Sequence, residues 1–320
     1  MSKPPFLDAP TGLRAYRLGT ARGEFAAHEL GTARRGSVLL VPGFTGSKED
    51  FIALLAPLAE AGYRVLAVDG RGQYQSPGPR DERAYAPAEL ALDVLEMART
   101  LAAPAPSGPG GPVPPLHLVG HSLGGLIARR AVLRDPGRFA SLTLMSSGPA
   151  GVAPGQRERL RMLREALPTL DMPAIWEAMR ALDPPDAEDP LTPPAITDFL
   201  RERWLATVPE QLSATAQQLM DEPDRVAELA TAGPPLHVVS GEVDDNWPVP
   251  WLDEMAVRLG ARRTTVPGAG HSPNAERPAE TAAALLDFWA RDAERPTGRG
   301  APASARAARA RGGVSEPSDR

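Results

Sequence analysis

The stretch Leu116-His-Leu-Val-Gly-His-Ser-Leu-Gly-Gly125 constrains the fold more than any other part of the chain. Leu116, Leu118 and Val119 form a short apolar run suited to a buried strand, and Leu123 to Arg134 carries apolar side chains at helical spacing. Between them lies Gly120-His121-Ser122-Leu123-Gly124. A serine with a glycine two residues to either side, placed between strand and helix, fits a turn so tight that its neighbours cannot carry side chains. Such a turn projects the Ser122 hydroxyl from the end of a sheet, beside the unpaired N–H groups that open the next helix. The pattern alone is weak, so its meaning depends on what surrounds it.

The surroundings repeat one rhythm. Ser37 to Val41 reads as a strand stopped by Pro42-Gly43, and Ser47 with Asp50 has the form of a capping box opening a helix through Glu60. Gly62 ends that helix and Arg64 to Val68 is the next strand, an order that implies a parallel pair with a right-handed crossover. Pro87 starts a helix with Leu90, Val94, Met97 and Leu101 down one face, and Leu142 to Ser146 is a further strand. Before this core, Leu13 to Leu30 alternates loosely about Gly19 and Gly23, as a hairpin does, while Ala103 to Pro115 is a Pro- and Gly-rich connector.

From Pro149 to Gly233 no strand-like run occurs. Helical segments at Arg157 to Leu167, Pro173 to Leu182, Ala195 to Leu205 and Glu210 to Asp221 are separated by prolines, which marks an all-helical insertion. The sheet resumes with Leu236 to Ser240, a helix from Val249 to Leu259, a strand from Arg263 to Val266, and a closing helix after Pro278 that groups Ala282, Leu285, Leu286 and Trp289. The expected fold class is α/β, a doubly wound, mostly parallel sheet with the helical insertion before its late strands. Residues 1–148 and 234–293 form the two parts of the core, 149–233 the insertion. Residues 294–320, with six arginines, three acids and no aromatic residue, are expected to be a disordered tail.

Composition narrows the function. A net charge of -5 gives no reason to expect nucleic acid or another polyanion, and the absence of cysteine excludes a disulfide, a thiol nucleophile and thiolate metal sites. The start, Met-Ser-Lys-Pro-Pro-Phe-Leu-Asp, lacks the features of a signal peptide, and no apolar run approaches membrane-spanning length. A soluble cytoplasmic protein is expected. No metal or dinucleotide motif is present, so no cofactor is expected.

A serine hydroxyl needs a base within hydrogen-bond reach, usually a histidine that a carboxylate orients. Of the five histidines, His117 and His237 fall in central strands, His28 in the hairpin, and His121 points along a different direction of the serine's turn. His271, in Pro267-Gly-Ala-Gly-His-Ser-Pro273, follows the last strand, where α/β sheets place reactive groups. For the acid, Asp244 and Asp245 compete in the loop after Ser240, with Glu242 third. Asp244 stands at the favoured register, three residues after Gly241 and four before Pro248, and Asp245 stays open.

Serine, then aspartate, then histidine, each after its own strand, resembles the α/β-hydrolase superfamily over nearly the whole chain to Ala293. The segment Asp69-Gly-Arg-Gly-Gln-Tyr-Gln-Ser-Pro77 resembles that family's Asp-x-Arg-Gly-x-Gly-x-Ser loop, and Gly268-Ala-Gly-His-Ser-Pro273 its histidine loop. The resemblance implies a serine hydrolase, esterase- or lysophospholipase-like, in which Ser122 attacks a carbonyl, His271 takes its proton and Asp244 holds the imidazole. It also implies an oxyanion hole from the backbone N–H groups of Leu123 and Phe44, with Pro42 standing where many relatives have histidine. The insertion corresponds to a cap. Its apolar residues, among them Leu160, Leu163, Trp176, Met179 and Trp204, would mostly pack the cap, the remainder lining a pocket for a small-molecule ester with an apolar part.

Rival readings are a cofactor-free haloperoxidase or perhydrolase, a carbon-carbon bond hydrolase, and a non-catalytic receptor. Epoxide hydrolases and haloalkane dehalogenases need a carboxylate where Ser122 stands.

Overall fold

The computed structural model describes residues 2–102, 114–181 and 192–293. The expected tail and most of the Pro-rich connector lie outside the described residues. Eight strands form one sheet: β1 (Arg14–Thr20), β2 (Gly23–Leu30), β3 (Gly36–Val41), β4 (Tyr63–Val68), β5 (Leu116–His121), β6 (Ser141–Met145), β7 (Leu236–Gly241) and β8 (Arg262–Val266). Their spatial order is β1-β2-β4-β3-β5-β6-β7-β8. The N-terminal hairpin is antiparallel and joins β4 antiparallel, and every later pairing is parallel.

Strand alternation divides the core into two layers. Leu39 and Val41 of β3, Leu66 and Val68 of β4, and Leu116 and Leu118 of β5 face one side. There they meet α2 (Pro87–Ala102), α3 (Leu123–Arg134), α8 (Val226–Ala232) and α9 (Val249–Leu259). Val38, Leu40, Val65, Ala67 and Val119 face the other side, against α1 (Ile52–Glu60) and α11 (Pro278–Ala293). Central strands buried on both faces need continuous apolar runs, which is the pattern these segments carry.

The insertion is helical between β6 and β7, with α4 (Pro154–Ala166), α5 (Met172–Ala181), α6 (Pro194–Ala206) and α7 (Pro209–Asp221) ahead of α8. All of these first four begin with proline at the first or second helical position, where its missing N–H costs nothing. Helix α8, of seven residues, went unread in the sequence. The Ser47 and Asp50 box opens a 3-10 turn, Lys48–Phe51, before α1 begins; the Ser47 N–H donates to Asp50 Oδ2 at 3.2 Å.

Two buried arginines tie the insertion to the sheet. Arg129 of α3 donates to Pro149 O at 2.7 Å and to Glu222 Oε1 at 3.0 Å, and Arg130 reaches the other Glu222 oxygen at 2.9 Å. On α6, Ile196, Phe199, Leu200 and Trp204 are buried on one stripe, and Arg203 shares it. Arg203 reaches the buried Asp50 carboxylate at 2.6 Å and the Ser2 carbonyl at 2.9 Å. Among the described residues no helix is long and apolar enough to cross a membrane.

Candidate active site

Ser122 sits between β5 and α3 with φ 54° and ψ -121°, a conformation that non-glycine residues rarely adopt. Its flanking glycines are sterically required. A Cβ on Gly120 would lie 2.3 Å from Gly124 O, and one on Gly124 would lie 2.3 Å from Val41 O. The strained turn is held from below, where the Ser122 N–H donates to Met145 O at 2.9 Å.

Three loops at the C-terminal ends of β5, β7 and β8 converge here. His271 Nε2 lies 3.0 Å from Ser122 Oγ, and its Nδ1 lies 2.9 Å from Asp244 Oδ2. The Asp244 side chain has no solvent exposure, and its other oxygen accepts from the N–H groups of Asn246 at 2.9 Å and Trp247 at 3.1 Å. Bound in this way, the carboxylate is an acceptor that fixes the proton of His271 on Nδ1 and leaves Nε2 to accept from the serine. The arrangement can take a proton from the Ser122 hydroxyl as that oxygen attacks an electrophile. Asp245, the open alternative, is exposed and is not bonded to the imidazole, and Glu242 accepts from Gly268 N at 2.8 Å.

Several supporting residues went unread in the sequence. Glu276 bridges the N–H groups on either side of His271, those of Gly270 and Ser272. His121 lies beneath the histidine loop, its Nε2 2.9 Å from His271 O. Since a carbonyl only accepts, His121 carries its proton on Nε2. Burial pushes its pKa down to about 3, so this ring stays neutral. Trp247, fully buried, donates from its indole to Ala150 O at 2.8 Å and so connects the acid loop to the start of the insertion.

A cavity of about 620 Å³ opens onto Ser122 and His271. Phe44 and the cap residues Leu160, Leu163, Trp176, Met179 and Trp204 give it apolar walls, while Gln156, Arg159 and Asn246 add polar groups. Phe44 follows β3 in a turn closed by a Gly46 N–H to Gly43 O bond of 3.2 Å, and Leu123 is the first residue of α3. The loop after β4 departs from the pattern it resembles at Tyr74, which stands where that pattern has its second glycine and takes φ 40°. The Tyr74 ring meets Phe199 edge-on at 5.6 Å and its hydroxyl donates to Glu202 at 3.0 Å, so this loop also touches α6. Among the described residues no cluster of three or more His, Cys, Asp or Glu side chains is placed to hold a metal.

Both fold and site geometry are those of a hydrolase, and the chain belongs to the alpha/beta hydrolase family, whose model matches residues 38–284. It is 32% identical over 275 residues to a protein of Variovorax paradoxus named "Putative carbamate hydrolase RutD", covering 82% of this chain and 94% of that one. It is 27% identical over 199 residues to the 2-hydroxy-6-oxononadienedioate/2-hydroxy-6-oxononatrienedioate hydrolase of Escherichia coli K12, covering 59% of this chain and 63% of that protein. The crystal structure of a hydrolase from Pseudomonas aeruginosa PA01 superposes with a TM-score of 0.70 at 26% identity, over 87% of this chain and 99% of that one.

Proposed function

We propose that the protein hydrolyses carboxylic esters with an apolar acyl or alkyl part through an acyl-serine intermediate. The observation that carries this reading is the continuous hydrogen-bonded line from Ser122 Oγ through His271 to Asp244, ending in a cavity with apolar walls. His271 Nε2 accepts the hydroxyl proton as Ser122 Oγ bonds to the ester carbonyl carbon, and Asp244 stabilises the imidazolium that forms. The carbonyl oxygen, now negative, is held by the N–H groups of Leu123 and Phe44. Collapse expels the alcohol, which leaves with the proton from His271. Water then gives a proton to His271, attacks the acyl carbon and frees the acid and the serine.

Apolar burial favours longer chains by about 0.8 kcal/mol per methylene until the cavity is filled. A p-nitrophenyl ester series should therefore show kcat/KM rising with acyl length to an optimum and then falling. A flat series removes the apolar-pocket argument. A fluorophosphonate probe should label Ser122, and labelling should fall sharply in His271→Ala; folded protein that takes no label overturns the whole reading and favours a receptor.

A second reading has a specific basis in the relatives, one named for carbamates and another for cleaving a dienedioate. The same serine and donors can serve a carbamate carbonyl or a carbon-carbon bond beside a ketone. Turnover of a carbamate or a vinylogous diketone at a higher kcat/KM than any ester in the series would place the substrate there.

A further inference from the structure

The geometry points to Gln73 as the residue that aims the Phe44 main-chain N–H into the cavity, a positioning role that rests on the acyl-transfer reading above. Gln73 lies in the loop after β4 and is 5% exposed. Its Oε1 accepts from the Gly70 N–H at 3.0 Å, which settles which end of the amide is which. The amide nitrogen then faces the loop after β3, donating to Gly43 O at 2.7 Å and to Phe44 O at 3.1 Å.

Gly43 C=O and Phe44 N–H belong to one peptide unit. With no cis peptide bond among the described residues, the two point in opposite directions. Gly43 and Phe44 line the cavity and Gln73 does not, so a donor that draws the carbonyl toward Gln73 turns the N–H to the cavity side. Gly43 itself packs against the serine, since a Cβ there would lie 3.2 Å from Ser122 Cβ. The turn bond from Gly46 reaches the same carbonyl at 3.2 Å, and the shorter Gln73 bond adds a second restraint. A hydrogen bond to the carbonyl also polarises the peptide and makes its N–H a better donor.

The loop is shaped for this contact. A Cβ on Gly70 would lie 2.5 Å from Gln73 Oε1, so only glycine lets the amide sit where it does. Gln73 touches no reacting atom. Its effect reaches the reaction through the direction of one peptide plane.

Gln73→Met keeps the length of the side chain and removes both donors. Its kcat on the best ester should fall by about tenfold to a hundredfold, less than the 10²–10³ typical of deleting an oxyanion donor outright. KM should stay within about twofold, because the ground-state carbonyl gains little from the hole. Affinity for a trifluoromethyl ketone, which forms an oxyanion on Ser122, should fall by the same factor as kcat/KM, while affinity for the product acid stays unchanged. Gly70→Ala should reproduce the pattern by displacing the amide.

A Gln73→Met protein with kcat within twofold of the parent overturns the positioning role. So does a fall in kcat with no change in the ketone's affinity relative to the product's, the signature of mere loosening. If instead the parent protein turns over no ester and takes no fluorophosphonate label, the acyl-transfer reading itself fails and takes this role with it.

Discussion

Strands β3 and β5 bury every residue they contain, mostly with aliphatic side chains and ladder hydrogen bonds, with His117 and His121 of β5 buried among them. Helix α4 of the insertion, with 13 residues to the 6 of either strand, has one buried residue, Leu163. Sheet and cap are both packed by apolar burial, since Phe44 and Tyr74 lie against the cap's own cluster of Leu163, Trp176, Phe199 and Trp204, but the cap is held in addition at two points by buried guanidinium groups, Arg129 with Glu222 and Arg203 with Asp50. Apolar burial tolerates small changes smoothly, whereas a buried ion pair that loses one partner leaves an uncompensated charge. The sheet therefore provides a fixed frame, and the cap's seating depends on a few polar side chains beside its apolar contacts.

That contrast can be broken most severely at the frame's reacting edge. Ser122→Ala or His271→Ala should lower ester turnover by about six orders of magnitude and Asp244→Ala by about four. Asp245→Ala should leave steady-state kinetics near the parent. Thermal unfolding of Ser122→Ala and Asp245→Ala should stay close to the parent's, whereas Asp244→Ala, which strips the acceptor from the Asn246 and Trp247 N–H groups, should unfold at a lower temperature.

Arg203→Ala should do the reverse. Stranding Asp50 should cost about 3–5 kcal/mol in denaturant unfolding, and the loss should appear as a less cooperative transition if the cap loosens before the sheet. The double variant Arg203→Met with Asp50→Leu should recover most of that stability, because neither charge is then buried. Full recovery of stability without recovery of KM for long-chain esters would show that the pair seats the cap for binding rather than for folding.

Acid provides a third test, since all five histidines lie outside residues 149–233. Burial lowers His117 to a pKa of about 4 and His121 and His237 to about 3. Below pH 6.5 the unfolded chain takes up protons that these three rings refuse in the fold. Stability should therefore be full above pH 6.5 and fall as the pH drops toward 4, each ring contributing up to about 1.4 kcal/mol per pH unit. His237→Gln should flatten the slope of unfolding free energy against pH by up to that one-ring amount. An unchanged slope would remove the buried strand histidine as a source of acid sensitivity.

The smallest effect is expected where the loop after β4 meets the cap. Tyr74→Phe removes an exposed hydroxyl contact to Glu202 and keeps the ring on Phe199, so unfolding should change by no more than about 0.5 kcal/mol.

The contrast between sheet and cap also explains how much of the fold is legible in the sequence. The central strands β3 to β7 were legible because each is a short, largely apolar run, and Ser122, Asp244 and His271 because each follows a strand in the order serine, aspartate, histidine. Arg203 carried a signal, an arginine on the apolar stripe of α6, but its partner Asp50 is 153 positions away and already had a local explanation as a helix cap. Gln73 carried none, because its partners are carbonyl oxygens that every residue possesses. Tyr74 broke the glycine pattern it resembled, and only the backbone shows that it accepts the left-handed conformation anyway.

The stem of the insertion has a consequence beyond this reaction. Its two ends are stitched to each other, Gly151 N to Glu222 O and Val152 N to Leu219 O, each at 2.9 Å, with Arg129 clasping both sides. Two chain crossings that lie side by side fix the ends of the insertion whatever its length, and leave Asp50 as the buried group that any replacement must pair as Arg203 does. The junction is thus a natural splice point, at which one lid could be exchanged for another with a different chamber, provided the newcomer supplies a partner for Asp50.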